Sequence, residues 1–170
     1  TELTKIGVTP VIHYDPLLRV IRTDTPKGFF SKVEFNPWQV CAYDVNDTVK
    51  DSIAWKKAFE ENDAEIKEEE KQALTKASSH YNTPNVAILD TLGRTFMSYG
   101  VKENLAEFPN TKKYITHTEF NITGQALACT DPRQYILNQS RNEPVRKFIY
   151  TYDMLGVAMQ TQSIDAGNSK

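Results

Sequence analysis

Residues 151–161 read TYDMLGVAMQT, and the same layout recurs without gaps at 13–23 (HYDPLLRVIRT), 88–98 (ILDTLGRTFMS) and 119–129 (EFNITGQALAC). An apolar or aromatic residue leads: Tyr14, Leu89, Phe120, Tyr152. Then comes Asp15, Asp90, Asn121 or Asp153, and three places on Leu18, Gly93, Gly124 or Gly156. An apolar residue returns at Ile21, Phe96, Leu127 and Met159. The physical reading is strand, tight turn, strand. Asp or Asn opens the turn because its side chain bonds backbone amides two residues on. Gly closes it because positive φ is cheap only for glycine. Leu18 departs from the rule, so its turn is either of another type or carries modest strain.

Working outward, short runs rich in Val, Ile, Thr, Tyr and Phe alternate with Gly, Pro, Asp and Asn. VIHY, RVIRT, FFSKVEF, QVCAY, NVAIL, RTFMSY, KKYITHTEF, QALACT, RQYILNQ, VRKFIYTY and VAMQTQ all read as strands. In KFIYTY, Phe148, Tyr150 and Tyr152 share one face, because strand side chains alternate. One segment reads otherwise. From about Asp51 to Ser79 there is no Gly or Pro, and Trp55, Phe59, Ile66, Leu74 and Ala77 fit one helical stripe. Asn62-Asp63 offers a break, Thr48 with Asp51 resembles a capping box, and Asn82-Thr83-Pro84 ends the segment. The expected fold is therefore α+β, mainly β: antiparallel β-hairpin repeats with one helical insertion at about 50–81. The second, third and fourth repeats lie 31 and 32 residues apart and the first two 75 apart, the insertion accounting for much of the difference. A single hairpin is marginal, so such repeats need neighbours.

Composition narrows the function. At 170 residues, with 39% hydrophobic and 25% charged side chains, the chain suits one soluble domain. A net charge of −2 gives no footprint of a nucleic-acid binder, and the whole excess falls in Ile53–Ala77, which reads as a solvated helix face. No segment approaches the roughly 18 apolar residues of a membrane span. Cys41 and Cys129 lie far apart with no metal or disulfide spacing, and Cys129 reads as a small buried hydrophobe. The Asn-x-Ser/Thr matches at Asn46, Asn121 and Asn138 lack a secretory context, and the chain starts without Met or a signal layout.

The candidate sites weigh toward architecture. His13 and Asp15 could form an acid/base pair, but the other repeats replace His13 by Ile88, Glu119 and Thr151, and no nucleophile accompanies it. Asp44, Asn46 and Asp47 offer clustered oxygens for calcium, yet the central Gly and terminal Glu of a calcium loop are missing, and the start of a helix is the plainer role. Trp38 and Trp55 read as packing residues before they read as a sugar platform. His80 and His117 have no partner at ligand spacing, and Lys112-Lys113 and Arg146-Lys147 read as edge protection. No catalytic, cofactor or metal residue is assigned. The residues singled out are those of the repeat turns: Tyr14, Asp15, Leu18, Asp90, Gly93, Asn121, Gly124, Tyr152, Asp153 and Gly156.

Tyr-Asp-x-x-Gly followed by a strand resembles the YD repeat of RHS-type proteins. FNPWQVCAYDVNDTV, Phe35 to Val49, followed by a helical segment with Trp55, is similar to a block in the B component of bacterial insecticidal toxin complexes, as is Asp131-Pro132-Arg133. The resemblance covers essentially the whole chain. It implies a strongly curved sheet closing into a hollow shell around a toxic effector polypeptide. On that reading residues 1–170 are one domain, a non-catalytic piece of the shell wall of a secreted or cell-surface virulence protein. Its partners would be the other toxin-complex subunits and the enclosed effector, with a homo-oligomer through exposed sheet edges also open, and no nucleic acid or direct membrane insertion. The alternatives are a cell-surface repeat module binding carbohydrate or protein, and a hydrolase centred on His13.

Overall fold

The computed structural model describes residues 9–61, 66–104 and 112–169. Among the described residues, eleven strands pair in chain order: β1 Val11–Tyr14, β2 Val20–Asp24, β3 Phe30–Asn36, β4 Gln39–Tyr43, β5 Asn85–Leu89, β6 Thr95–Val101, β7 Lys113–Phe120, β8 Ala126–Thr130, β9 Phe148–Tyr152, β10 Ala158–Ser163 and β11 Gly167–Ser169. Short helices are α1 (Ile53–Trp55), α2 (Glu68–Ala77) and α3 (Pro132–Asn138). The chain is thus mainly β, built of antiparallel hairpins with a helical insertion between β4 and β5 and a further short helix between β8 and β9. Its contacts divide it into two compact units, 1–36 with 40–86 and 100–113, and 37–39 with 87–99 and 114–170.

The first unit holds the insertion. Val49–Asp51 forms a 3₁₀ turn, α1 runs on into a π-helical turn at Lys56–Glu60, and α2 ends in a second 3₁₀ turn at Ser78–His80. The break expected at Asn62-Asp63 lies outside the described residues. Val49, Ala58 and Leu74 are buried, with Phe29, Trp55, Ile66, Ala77 and Tyr81 packed on them. Trp55 and Phe59 stand one helical turn apart, and their rings meet at 4.3 Å. The helix start differs from the capping-box reading. The buried Thr48 hydroxyl donates to the Phe30 carbonyl, and Ser52 accepts from the Trp55 amide at 3.1 Å as the cap of α1.

A buried carboxylate ties the insertion's two ends together. Asp47 accepts from the Asp44 amide at 2.7 Å, and from the Thr83 hydroxyl and amide at 2.7 and 3.1 Å. Its carbonyl receives the Asn82 amide, where the chain takes φ +57° and leaves the helix. Gly28 also matters here. A Cβ there would lie 3.3 Å from Ile53 Cβ, and its carbonyl accepts the Ile53 amide, so the β2–β3 turn seats directly against α1.

In the second unit the β9 side chains alternate as expected: Phe148, Tyr150 and Tyr152 are half-buried, Ile149 and Thr151 exposed. One reading is overturned. RQYILNQ is not a strand but most of α3. Asp131 accepts from the Arg133 and Gln134 amides, and Pro132 occupies the first turn. Cap and proline outweigh the β-prone Tyr135 and Ile136. The Asn138 carboxamide then bonds both backbone groups of Val145, returning the chain toward β9. Strand β11 was not expected either. Its Gly-Asn-Ser sequence has no β preference, and it is held by backbone pairing to β10.

Candidate functional site

The repeated turns form the most regular chemistry of the chain. In each, the Asx amide donates to the residue four places on, and the third following amide returns to the Asx carbonyl. The Asx side-chain oxygen accepts amides from within the turn. Asp15 Oδ1 takes Leu17 and Arg19, Asp90 Oδ1 takes Leu92 and Arg94, and Asp153 Oδ1 takes Leu155 and Val157, all at 2.8–2.9 Å. Asn121 Oδ1 takes Gln125 at 2.8 Å. This is a three-residue hairpin loop closed by a left-handed residue, and the pairing register slips beside these turns at β1–β2, β7–β8 and β9–β10. Gly93, Gly124 and Gly156 have φ of +76°, +92° and +84°. Leu18 has φ +60°: its turn is of the same type and bears the strain.

Backbone amides hold Asp15 and Asp90 in their charged form. Asp15 is shifted below the ordinary carboxylate value, first by the Arg19 amide, and Asp90 likewise by the Arg94 amide. The arginine side chains add ion pairs, at 2.7 Å from Arg19 Nη2 to Asp15 and 2.6 Å from Arg94 Nε to Asp90.

Two turns and one position went unread in the sequence. Thr25-Pro26-Lys27-Gly28 follows the same hydrogen-bond scheme, with Thr25 Oγ1 in place of the carboxylate and Gly28 at φ +81°. The three-residue offset from Thr25 to Gly28 was the available signal. Asn36-Pro37-Trp38-Gln39 joins β3 to β4 in a loop one residue shorter, which hides it from a gapless alignment. The missed position follows the turn-closing residue. Arg94 lies over the Phe120 ring at 4.9 Å and donates to the Asn121 carbonyl at 3.3 Å. Gln125 donates to the Gly156 carbonyl at 3.0 Å. Arg19 lies over Phe35 at 4.2 Å. The side chain after one turn thus reaches the next hairpin. Arg19 and Arg94 align in sequence, which was the signal.

Other candidates are placed elsewhere. His13 bonds Asp24 at 2.6 Å and not Asp15, and Arg22 takes the other Asp24 oxygen. Burial opposes ionisation of Asp24, but Arg22 and His13 outweigh it and its pKa is lowered. In the Asp44 turn, Asp44 Oδ1 accepts the Asn46 and Asp47 amides. Burial pushes the Asp47 carboxyl up. Trp38 is an exposed turn residue, whereas Trp55 belongs to the core. His80 ends a 3₁₀ turn, and His117 meets Phe96 edge-on. Arg146 grips both Glu119 oxygens at 2.9 and 3.1 Å, and Lys147 pairs with Asp165. Cys41 and Cys129 are half-buried, and neither forms a disulfide among the described residues.

A second property of the turns is their tips. Ile122, Met154 and Leu155 are 98%, 104% and 89% exposed, and Leu17, Leu18, Trp38 and Leu92 are exposed as well. Where such side chains join into a contiguous patch, they mark interaction surfaces.

Antiparallel hairpins with repeating Asx-to-Gly turns resemble the RHS-type repeats of bacterial toxin complexes. Among solved structures, the chain matches the crystal structure of TcdB2-TccC3-Cdc42 with a TM-score of 0.75, at 27% identity over 94% of its length. It matches the Photorhabdus luminescens Tc holotoxin pore with a mutant TccC3, and the crystal structure of TcdB2-TccC3, each with a TM-score of 0.71 at the same identity and share. It spans 6% of each of those chains. No protein-family model and no curated protein matches the chain.

Proposed function

We propose that this chain is a non-catalytic wall segment of an RHS/YD-repeat toxin-complex shell protein, one that helps enclose and deliver a toxic effector polypeptide. The observation that carries the reading is the match to TcdB2-TccC3-Cdc42 over 94% of the chain at 27% identity. The turn geometry supports it: the Asx oxygens are consumed by backbone amides and neighbouring arginines, which suits architecture and leaves them poor catalysts. Its partners are then the other subunits of the complex and the effector, and its place of action is outside the producing cell. Among the described residues β1 pairs only with β2 and β11 only with β10, so each offers an outer edge for further strands.

The test is a graft. The matched stretch of TcdB2 is replaced by this chain, and the hybrid is mixed with TccC3. Co-purification of the two, with the enclosed polypeptide resistant to added protease, is expected. A folded hybrid that leaves the polypeptide open to digestion overturns the proposal. So does a loss of biological activity on His13→Ala substitution with folding intact, or saturable binding on a glycan array.

A further inference from the structure

In the first three repeated turns both side-chain atoms of the Asx residue are used. One oxygen accepts backbone amides, and the second atom meets the side chain four places on. Asp15 Oδ2 accepts from Arg19 at 2.7 Å, Asp90 Oδ2 accepts from Arg94 at 2.6 Å, and Asn121 Nδ2 donates to Gln125 Oε1 at 2.7 Å. The fourth turn breaks this rule, because Val157 stands four places on and has no side-chain donor. Asp153 Oδ1 holds the Leu155 and Val157 amides, and Oδ2 has no partner among the described residues. Asp153 is half-buried, and it lines a cavity of about 620 Å³ that lies wholly within the second unit. Thr123 and Gln125 of the third turn line it too, as do Tyr150 and Tyr152 of β9. Most of these polar groups satisfy one another. Gln125 accepts from Asn121 and Thr123 and donates to the Gly156 carbonyl, and the Tyr152 hydroxyl donates to the Ala126 carbonyl at 2.8 Å. The Tyr150 hydroxyl, like Asp153 Oδ2, makes no hydrogen bond among the described residues.

We propose that this cavity binds a guanidinium group, with Asp153 Oδ2 as its counter-ion and the Tyr150 hydroxyl as a second acceptor. The chain itself supplies the precedent twice. Arg19 brings Nε and Nη2 to 2.7 Å from Asp15 Oδ2, and Arg94 Nε does the same to Asp90 Oδ2 at 2.6 Å. The fourth turn has the backbone of the second, with Gly156 at φ +84° against Gly93 at +76°, so its carboxylate is presented in the same way. Val157 is 62% exposed and supplies no group to it. A guanidinium suits the site better than an ammonium. It is planar, carries several donors for separate acceptors, and is more weakly hydrated, which favours a half-buried carboxylate beside tyrosine rings and Leu127. The exposed Met154 and Leu155 border the same cavity, so an arginine with apolar neighbours gains more than a bare one. The inference stands on turn geometry and holds whether or not the toxin-complex reading does.

The test titrates the isotope-labelled 170-residue chain with three probes: acetyl-Leu-Arg-Leu-amide, its lysine counterpart, and free L-arginine. The expected result is a saturable shift of the backbone resonances of Asn121–Gln125 and Tyr150–Val157 with the arginine peptide, and weaker binding of the lysine peptide. Asp153→Asn should weaken the arginine peptide about tenfold, the loss of one hydrogen bond to a charged acceptor. That variant keeps the turn, since Asn121 opens the third turn in the same way. Val157→Arg places a guanidinium of the chain's own on Asp153, as Arg94 does on Asp90, and should abolish binding. Tighter binding of the arginine peptide than of free arginine assigns the guanidinium to a peptide side chain, and equal binding assigns it to a free guanidino compound. Either result supports the site. The proposal is overturned if the lysine peptide binds as tightly as the arginine peptide, if either variant, its fold checked by its own spectrum, binds unchanged, or if no saturable shift appears at these residues.

Discussion

At the scale of single residues, Leu18 is the point of tension. It stands where three sibling turns have glycine, and it adopts their left-handed backbone, at φ +60°. It is also 82% exposed, so little packing compensates. A left-handed L residue costs about 1–2 kcal/mol, of which a glycine's freer unfolded chain takes back about 0.5–1. Leu18→Gly should therefore stabilise the chain by about 0.5 kcal/mol, read as a higher urea midpoint at unchanged slope. A lower midpoint would mean that Leu18 makes contacts worth more than its strain. The aligned repeats made the Asx and Gly positions readable, because a turn imposes its chemistry over five residues. Arg19, Arg94 and Gln125 stayed silent since their partners are 16, 26–27 and 31 residues further on.

At the scale of elements, helix α3 shows how capping decides between helix and strand. RQYILNQ is a short run with the β-prone Tyr135 and Ile136, and its apolar pattern does not separate strand from helix. Asp131 with Pro132 decides it, by satisfying two amides that a helix start leaves open. Removing that cap with Asp131→Ala should cost about 1 kcal/mol. Urea titration measures the loss, and faster amide exchange at Tyr135 and Ile136 locates it in α3. The insertion follows the same logic in reverse. Thr48 and Asp51 have the spacing of a capping box, but Thr48 is drawn to the Phe30 carbonyl of a strand 18 residues earlier. Ser52 takes over the cap. Local spacing gave the existence of the insertion, and a long-range hydrogen bond chose its first residue.

At the scale of the whole molecule, acid stability divides between opposing carboxylates. Asp15, Asp24 and Asp90 have folded pKa values below the ordinary 3.8, so their stabilisation is present above that value. It is lost as pH falls through the folded values. Asp47 works the other way. Burial raises it, so the folded state binds its proton first and gains stability as pH falls toward 3.8. Comparing urea midpoints at about pH 7 and pH 4.5, the native chain should gain relative to Asp47→Asn on acidification. A difference that stays constant would show that Asp47 does not titrate in that window.

The apolar turn tips belong to this scale too. Met154→Ser with Leu155→Ser should leave stability within about 0.5 kcal/mol, since both side chains are exposed. The pair should also reduce concentration-dependent self-association in light scattering. Equal scattering from both chains would place any association on the sheet edges alone.

What the sequence alone determined is periodic and local. Strand alternation, the helical stripe and the repeated Asx-to-Gly turns are written in neighbouring residues, because backbone geometry repeats over two to five positions. The tertiary structure decided which carboxylate His13 meets, where the inserted helix starts, and which turn each arginine spans. Those choices depend on strand pairing, which brings together residues that the chain separates.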